Sequence, residues 1–465
     1  MFLNREKELE RLGEQLRSTE KTAVLVYGKR RIGKSFLIAE AAGSFDGQVI
    51  SHMCAQTTLR GNIDLLAKSI CTGLNLPGIH FDTLMDIFTF VSNLNQNVLI
   101  ILDEYSYLKD SGRKNEVDSY MQSVIDRLPG HVKLILCGSY ITVMTELLEK
   151  DNPLFGRFTD IIHLEAFDYY ESAEFFPESG IDRKIANYAV FGGSPYVLTQ
   201  IDSSKSIKDN IVHLILRDTG LLRIYIESVI LKEIQKAYDI RIFQVIGNGK
   251  KRYSELNDHL SEKNSGLLDK QLKNLMRMEM IEKVFPINKP GDKKKQFYEI
   301  RDNLLRFYFT YIFGNESLIF RLGEDAFYDL YIQPSLNEYI SRRFEQMVLQ
   351  YFRRLSLIRQ ITDIYDYGTY WYDDPKTHKN GEFDCVLKRA DGYDFVECKY
   401  WSRPMKMSEC REEEKQLKAI EGIVCRRMGF ACSAGFSFTD DRYELINGEN
   451  LFSKNLKFQN DRSSH

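Results

Sequence analysis

The sequence predicts an α/β protein whose N-terminal third contains a mostly parallel β-sheet. Over the first two hundred residues, the apolar runs AVLVYG, NVLIILDEY and VKLILCGSY alternate with helix-period stretches such as SFLIAEAA. Strands that are apolar along their whole length and are joined by helices are typical of a parallel sheet covered on both faces. The glycine-rich segment GKRRIGKS directly follows the first apolar run, so we expect it where the chain turns from a strand into a helix.

The length and composition indicate several globular domains. The chain has 465 residues, of which 43% are hydrophobic and 28% are charged, and a typical domain has roughly 100–200 residues. The sequence patterns divide the chain into an α/β core at 1–167, a helical lid at 168–235, a three-helix segment with a strand pair at 236–312 and a second α/β unit at 313–460.

Composition also narrows the class of protein. No run approaches the roughly 18 apolar residues that span a bilayer, and eight cysteines without a CxxC pair favour reduced thiols. We therefore expect a cytoplasmic protein without membrane contact. The net charge of −3 provides no long-range attraction to nucleic acid. Residues 250–295, however, contain twelve Lys or Arg against seven Asp or Glu, which indicates a local contact with an anion.

The segment GKRRIGKS fits the phosphate-binding pattern GxxxxGK[ST] in the expected strand-to-helix context. Its two glycines let consecutive N–H groups face phosphate oxygens, and the N-terminus of the helix adds a positive dipole end. The lysine would reach the β- and γ-phosphates of ATP, and the serine would offer its hydroxyl to Mg²⁺. The predicted ATP-binding residues are Gly28, Lys29, Arg30, Arg31, Ile32, Gly33, Lys34 and Ser35.

A P-loop needs an acidic partner at the end of a neighbouring strand to complete the metal site. The run VLIILDE supplies Asp103 as a Mg²⁺ ligand and Glu104 as a general base, although Glu104 also fits a solvated loop carboxylate. Ser139 ends the strand LILCGS, where it could report the state of the γ-phosphate. Arg157 in PLFGRF fits either an arginine that stabilises transition-state charge, in cis or on a neighbouring subunit of a homo-oligomer, or a surface salt bridge.

Residues 236–312 predict the element order of a winged helix. A helix, a GNG turn, the helix SELNDHL, a polar turn and the helix LLDKQLKNLMRM precede a strand pair, IEKVFPI and QFYEI. Such a domain can place a helix in the major groove of double-stranded DNA while its wing contacts the backbone. It can also serve as a packing module between domains. The candidate DNA-binding residues are Lys270, Lys273 and Arg277 on the helix, and Lys293 and Lys294, with Lys289 and Lys295, in the wing.

The C-terminal unit contains the pattern D-x12-E-x-K on two predicted neighbouring strands. The strands EFDCVL and YDFVECK carry Asp384, Glu397 and Lys399, and side-chain alternation puts the last two on one face. Carboxylates of this kind can hold Mg²⁺ or Mn²⁺ against a scissile phosphate, with the lysine orienting or activating water. The pattern is short, and a hairpin with a solvated Glu and Lys also satisfies it.

Taken with these motifs, the segments FLNREKELERL, GGSPYVL and YEIRDNLLRFYFTYI show a resemblance that covers nearly the whole chain. It resembles the archaeal-type ATPases of the STAND and AAA-related P-loop class, which carry a C-terminal restriction-endonuclease-like domain. The resemblance implies that Glu345 is a further metal ligand and Gln416 a weaker candidate. It also implies that Asn4, Arg5 and Glu6 lie near the bound base and that GGSP brings Pro195 to the nucleotide, although both segments could simply end a helix.

These motifs lead to two hypotheses of different classes. In the first, ATP binding and hydrolysis act as a switch on a winged helix and a metal-dependent DNA nuclease. In the second, the winged helix binds DNA and the C-terminal unit only assembles partners, without catalysis. A peptide-remodelling ATPase is a third class, but the sequence shows no pore-loop signature for it.

Overall fold

The computed structural model describes residues 4–231, 234, 238–260, 265–374 and 379–453. Packing divides the chain into two units, residues 1–166 and 167–465. The predicted boundary between lid and three-helix segment at 235 lies outside the described residues, as do residues 261–264 of the predicted polar turn. The bounds of the four predicted domains stay predictions.

The N-terminal unit contains a five-stranded sheet of order β2-β3-β4-β1-β5. All of its neighbouring strands pair in parallel, which confirms the predicted parallel sheet. Its strands are β1 (Thr22–Gly28), β2 (Gln48–Met53), β3 (Val98–Asp103), β4 (Val132–Gly138) and β5 (Asp160–Leu164). The sequence patterns identified only the three central strands, because β2 and β5 lie at the sheet edges and alternate between exposed and buried positions.

Helices cover both faces of this sheet. One apolar cluster contains Leu25, Ile63 and Leu134, and a second contains Leu37 and Ile135. Neighbouring positions of one strand therefore enter opposite core layers, as expected for a sheet buried on both sides. The helices of this unit are Glu6–Arg17, Lys34–Ala42, Leu59–Gly73, Leu84–Ser92, Tyr105–Asp110, Glu116–Asp126 and Ile141–Glu146.

The C-terminal unit begins with a helical region, as the spacing of apolar residues predicts. Its α-helices are short, and two of them continue as π-helical turns at Val212–Leu216 and Ile226–Ile230. The α-helices are Tyr169–Ala173, Ile181–Phe191, Pro195–Leu198, Ile207–Ile211 and Leu221–Tyr225.

The segment GGSP ends one helix and begins the next. The helix Ile181–Phe191 ends at Gly192, which has a positive φ of 70°. Gly193 accepts a hydrogen bond from the Phe167 amide at 2.9 Å, and a Cβ on Gly193 would lie 1.8 Å from the Phe167 carbonyl oxygen. The pair of glycines therefore has a local structural reason in the close approach of the two chain segments.

Three helices and a small antiparallel sheet follow, and we call residues 241–300 the small-sheet module. The predicted order of elements is present, with strands arranged β6-β8-β7. Strand β7 ends before FPI, because Ile287 donates its amide proton to Thr369 O at 2.8 Å instead of continuing the hairpin. The elements are the helices Arg241–Gly247, Tyr253–Leu260 and Ser265–Arg277, and the strands β6 (Lys251–Arg252), β7 (Ile281–Val284) and β8 (Phe297–Ile300).

A second α/β layer ends the chain. Its five-stranded sheet has the order β13-β12-β11-β10-β9, antiparallel from β9 to β11 and parallel from β11 to β13. The strands are β9 (Asp366–Asp374), β10 (Lys379–Lys388), β11 (Tyr393–Lys399), β12 (Cys425–Cys432) and β13 (Glu444–Asn447). The helices are Asn303–Tyr311, Glu316–Leu322, Glu324–Phe327, Gln333–Leu357, Met407–Ala419 and Gly448–Phe452.

Among the described helices, none combines the length and the apolar character needed to cross a bilayer.

Replacing Gly193 with alanine should destabilise the C-terminal unit. Because the new Cβ would overlap the Phe167 carbonyl, we expect Gly193→Ala to lower the free energy of unfolding by about 1–3 kcal/mol. Chemical denaturation followed by circular dichroism measures this change. Gly291→Ala is the matched control, since a Cβ there meets no atom within 4 Å. Equal stability of the two variants would contradict the proposed role of the close approach.

Candidate functional site

The P-loop of the N-terminal unit has the backbone that phosphate binding requires. It follows β1, and Gly33 takes the left-handed conformation (φ 96°, ψ 14°) directly before the helix Lys34–Ala42. A Cβ on Gly28 would lie 2.3 Å from the Leu164 carbonyl oxygen. Only glycine fits at these two positions without strain, so the loop can turn its amides toward the N-terminal end of the helix.

Lys34 is the central cation of this site. Its side chain is buried, and its ammonium donates to Gly28 O at 2.9 Å, to Lys29 O at 2.8 Å and to Ser139 Oγ at 2.9 Å. Burial lowers the pKa of Lys34, while the nearby acidic residues raise it. The three acceptors are groups that a phosphate could replace, since phosphate oxygens accept the same hydrogen bonds more strongly.

Ser35 and Asp103 meet across the sheet edge, as the sequence predicts. Ser35 Oγ donates to Asp103 Oδ2 at 3.0 Å, and the other carboxylate oxygen accepts the Glu104 amide at 2.9 Å. A hydroxyl and a carboxylate that share one hydrogen bond can share a Mg²⁺ ion in its place, because both offer the oxygen ligands that this ion prefers. The donor set therefore fits a magnesium site.

Glu104 is held by Ser139 rather than left solvated. Ser139 donates its hydroxyl to Glu104 Oε1 at 2.8 Å and its amide to Oε2 at 3.2 Å. Glu104 also has a left-handed backbone (φ 50°, ψ 46°) at the start of the helix Tyr105–Asp110, which is uncommon outside glycine. The same serine hydroxyl accepts from Lys34, so one residue connects the cation and the acid of the site.

Two tyrosines next to the P-loop were missed in the sequence. Arg30 donates to Tyr140 OH at 2.7 Å and to Tyr107 OH at 3.4 Å, and its guanidinium lies 5.0 Å from the Tyr140 ring centroid. Tyr107 follows the end of β3, near Glu104, and Tyr140 follows the end of β4, next to Ser139. Their position directly after these strand ends could have indicated them in the sequence.

The remaining predicted residues of the nucleotide site differ in their surroundings. Arg157 donates to Asp126 Oδ2 at 3.3 Å and to Phe155 O at 3.2 Å, which is the surface ion pair left open by the sequence. Arg5 is buried and donates to Glu165 O at 2.6 Å. Glu6 is exposed on the first helix. Pro195 belongs to the C-terminal unit, where it begins the helix Pro195–Leu198.

In the C-terminal unit, the predicted acidic residues come from three adjacent elements. Glu345 lies on the helix Gln333–Leu357, Asp384 on β10 and Glu397 on β11. Val386 pairs with Phe395 in the antiparallel register. Glu397 lies two residues after the second member of this pair, and Asp384 lies two residues before the first, in the interval from Phe383 to Val386 where β10 has a register shift.

Burial and, after it, the charges of nearby acids raise the pKa of these carboxylates. Burial and the charge of Asp384 raise the pKa of Glu345 to about 8. Desolvation by its neighbours, followed by the charge of Glu382, raises the pKa of Asp384 to about 6, and burial also raises the pKa of Glu397. Among the described residues, however, the carboxylate oxygens of these three predicted ligands do not all lie within 4.8 Å of one another. The oxygen donors suit Mg²⁺ or Mn²⁺, but a shared ion would have to draw them together.

Lys399 is engaged by two carboxylates. Its ammonium lies 2.7 Å from Glu397 Oε1 and 3.0 Å from Glu413 Oε1, and these acids raise the pKa of Lys399 to about 12 against the effect of burial. The sequence did not single out Glu413, which is one of three consecutive glutamates on the helix Met407–Ala419, and pointed instead to Gln416, which is exposed. We call five acidic residues of the C-terminal unit the carboxylate cluster: Glu345, Glu382, Asp384, Glu397 and Glu413.

Some of the candidate DNA-binding residues are exposed, whereas others contact neighbouring residues of the protein. Lys270, Lys273 and Arg277 lie on the exposed face of the helix Ser265–Arg277, with Lys273 paired to Asp269 at 2.7 Å. Lys293 and Lys294 are exposed in a short 3₁₀ turn.

Two other wing lysines contact strand β9. Lys289 pairs with Asp373 at 2.7 Å, and the Lys295 ammonium lies 3.5 Å from the Trp371 ring centroid. This part of the wing is therefore a packing contact.

Comparison with known proteins agrees with the N-terminal site. Residues 2–201 match a family described as an ATPase domain predominantly from Archaea. Residues 308–415 match a family of archaeal and bacterial proteins of unknown function. The resemblance to archaeal P-loop ATPases is thus confirmed for the N-terminal part of the chain.

Individual relatives were also found. An uncharacterized protein of Methanocaldococcus jannaschii is 27% identical over 392 residues, which cover 83% of this chain and 84% of the relative. The Walker-type ATPase of Pyrococcus abyssi is 19% identical at a TM-score of 0.47, covering 66% of this chain and 96% of that one. The ORC2 protein of Aeropyrum pernix, solved in ADPNP–ADP complexes, is 14% identical at a TM-score of 0.45, covering 66% and 93%.

The hydroxyl of Ser139 should matter more for ATP hydrolysis than for ATP binding. Ser139→Ala removes the donor that orients Glu104, and we expect kcat to fall roughly 3- to 10-fold, as for one neutral hydrogen bond, with a smaller change in nucleotide affinity. Steady-state ATPase kinetics and calorimetric titration separate the two effects. Ser139→Thr, which keeps a hydroxyl, should retain most activity. An unchanged kcat in Ser139→Ala would contradict this role.

Proposed function

We propose that the archaeal-type ATPase domain of this chain is a Mg²⁺-dependent nucleotide switch that controls a metal-dependent DNA nuclease in the C-terminal unit. The observation that carries the first half is the contact set of Lys34, Ser35, Asp103 and Glu104 at one end of the parallel sheet. The second half rests on the carboxylate cluster and its lysine.

In the nucleotide site, the residues have separable tasks. The P-loop amides and Lys34 would bind the phosphates, while the Ser35 hydroxyl and the Asp103 carboxylate would hold Mg²⁺, which neutralises charge on the β- and γ-oxygens. Glu104 would orient and deprotonate the attacking water, with Ser139 fixing its direction. Residues 28–33 would line the phosphates mainly through their backbone. Pro195 and Arg157 stay candidate contributors from sequence.

Two substitutions in the nucleotide site should separate binding from hydrolysis. Lys34→Ala removes charged hydrogen bonds worth about 1.5–3 kcal/mol each, so ATP affinity should fall by roughly 10- to 100-fold or more. Glu104→Gln should keep ATP affinity while hydrolysis falls by about 10²–10⁴-fold. Calorimetric titration with Mg-ATP and a phosphate-release assay measure both quantities. Lys68→Ala, at an exposed position of the same unit, is the control, and ATP binding by Lys34→Ala at wild-type affinity would refute the site.

In the C-terminal unit, the carboxylate cluster would hold a second Mg²⁺ or Mn²⁺ against a DNA phosphodiester. Glu345, Asp384 and Glu397 offer hard oxygen ligands, and the bound ion would polarise the phosphate and the attacking water. Lys399, with a pKa raised to about 12 by its two acidic partners, remains protonated at neutral pH. It would therefore act as a fixed cation that orients water or stabilises the pentavalent phosphate, rather than as a general base.

Removing Asp384 should abolish DNA cleavage without touching ATP hydrolysis. We expect Asp384→Asn to lose more activity than the about 10- to 100-fold typical of residues that only support a metal ligand, because a neutral amide replaces a ligand charge. Plasmid cleavage with Mg²⁺ or Mn²⁺, with and without ATP, measures this. Asp391→Asn, exposed on the same hairpin, is the matched control. Cleavage by pure Asp384→Asn at the wild-type rate would refute the nuclease assignment.

A non-catalytic regulator is the second candidate, favoured by the separation of the three predicted ligand carboxylates. In that case the exposed lysines of the small-sheet module would bind DNA while the C-terminal sheet assembles partners. Salt-dependent DNA binding without cleavage under any metal would support it over the nuclease.

A further inference from the structure

Lys250 brings a positive charge from the small-sheet module to the carboxylate cluster. It lies in the turn between the helix Arg241–Gly247 and β6, and its ammonium is 2.5 Å from Glu382 Oε2 on β10. Glu382 is two residues before Asp384 on the same strand, which has a register shift between Phe383 and Val386. The charge of Lys250 lowers the pKa of Asp384, while Glu382 raises it, which places all three groups within electrostatic reach.

Lys250 is fixed by these contacts, but its side chain remains partly exposed. Its side chain is 34% exposed, against 14% for Glu382, and its ammonium lies 5.1 Å from the Phe297 ring centroid. Lys251 is half-buried and Arg252 exposed, with the Arg252 guanidinium 5.3 Å from the same ring. Lys250 and Arg252 thus lie near the same aromatic ring, and Lys250 also contacts the carboxylate cluster.

A polyanion approaching this cluster meets several carboxylates. Positive charge must compensate them before a phosphodiester can be held there. Lys399 is already engaged by Glu397 and Glu413, and Arg342 pairs with Glu338 at 2.6 Å. Among the described residues, Lys250 forms an ion pair with Glu382 alone, and an ammonium can exchange that carboxylate for a phosphate oxygen without losing its ion pair.

We propose that Lys250 is a contact for the DNA backbone at the carboxylate cluster, held by Glu382 in the free protein and transferred to a phosphate when double-stranded DNA binds. The proposal rests on the proposed nuclease function for the choice of ligand. It makes Glu382 a competitor of the DNA phosphate, and it makes Lys250 a positioning residue that sets where the backbone lies relative to Asp384.

This exchange gives the two members of the ion pair opposite effects on DNA binding. Removing the cation in Lys250→Ala should weaken binding and reduce the slope of log K against log salt by about one, as for one lost phosphate contact. Removing the competitor in Glu382→Gln should tighten binding, because the ammonium is then free. If the ion pair had only a structural role, the two substitutions would not shift DNA affinity in opposite directions.

The experiment measures binding of a fluorescein-labelled DNA duplex by anisotropy, in EDTA and at several salt concentrations, with the full chain. EDTA removes any contribution of a metal held by the cluster. Lys208→Ala and Asp329→Asn are the matched control pair: Lys208 is 32% exposed, lies 2.7 Å from Asp329 and is 5.4 Å from the Tyr328 ring centroid. Thermal melting of each variant checks that it folds.

Opposite shifts for Lys250→Ala and Glu382→Gln, with no shift for the control pair, support the proposal. Equal affinities, or weaker binding in both variants, overturn it, as does a wild-type protein that binds no duplex. Cleavage assays on the same proteins keep the two ideas apart. Wild-type cleavage with unchanged affinity of both variants defeats only the Lys250 contact, whereas opposite shifts without cleavage under any metal defeat only the nuclease.

Discussion

The parallel pairing of β1, β3 and β4 is the constraint on which the nucleotide site depends. Tyr27 of β1 pairs with Gly138 of β4, and Leu102 of β3 pairs with Leu136, so the three strands end at one edge of the sheet. Lys34, Asp103 and Ser139 follow or finish these strands and meet there, although they are far apart in sequence. Their hydrogen bonds are consequences of strand order, because no local contact along the chain could bring them together.

The parts of this site that could be predicted from sequence are those with a local signal. GKRRIGKS fixes its own backbone through glycine, and Asp103 was identified because it ends an unbroken apolar run. The two edge strands could not be found in this way, since a strand buried on one side has no such run. The contacts of Arg30 with Tyr107 and Tyr140 were equally hidden, because they depend on which strands become neighbours in the folded sheet.

The C-terminal unit shows the same division between local and tertiary information. Side-chain alternation along one strand was enough to put Glu397 and Lys399 on one face, but it could not place Asp384, because β10 has a register shift between Phe383 and Val386. The partner of Lys399 could not be chosen among three consecutive glutamates, since helical phase decides which one faces the sheet. Lys250 comes from a turn more than a hundred residues earlier in the chain, and only the packing of the small-sheet module on β10 reveals its contact.

The two candidate sites hold their charges in opposite ways. The P-loop offers main-chain amides and a helix end equivalent to about half a positive charge, and its one buried ammonium is balanced by Asp103 and Glu104. In the carboxylate cluster, burial and then the neighbouring acids raise the pKa of Glu345 and Asp384, while nearby cations lower it. Since Lys399 pairs with Glu397 and Glu413 and Lys250 pairs with Glu382, the charge available to a metal or a phosphate there depends in part on how these two lysines are held.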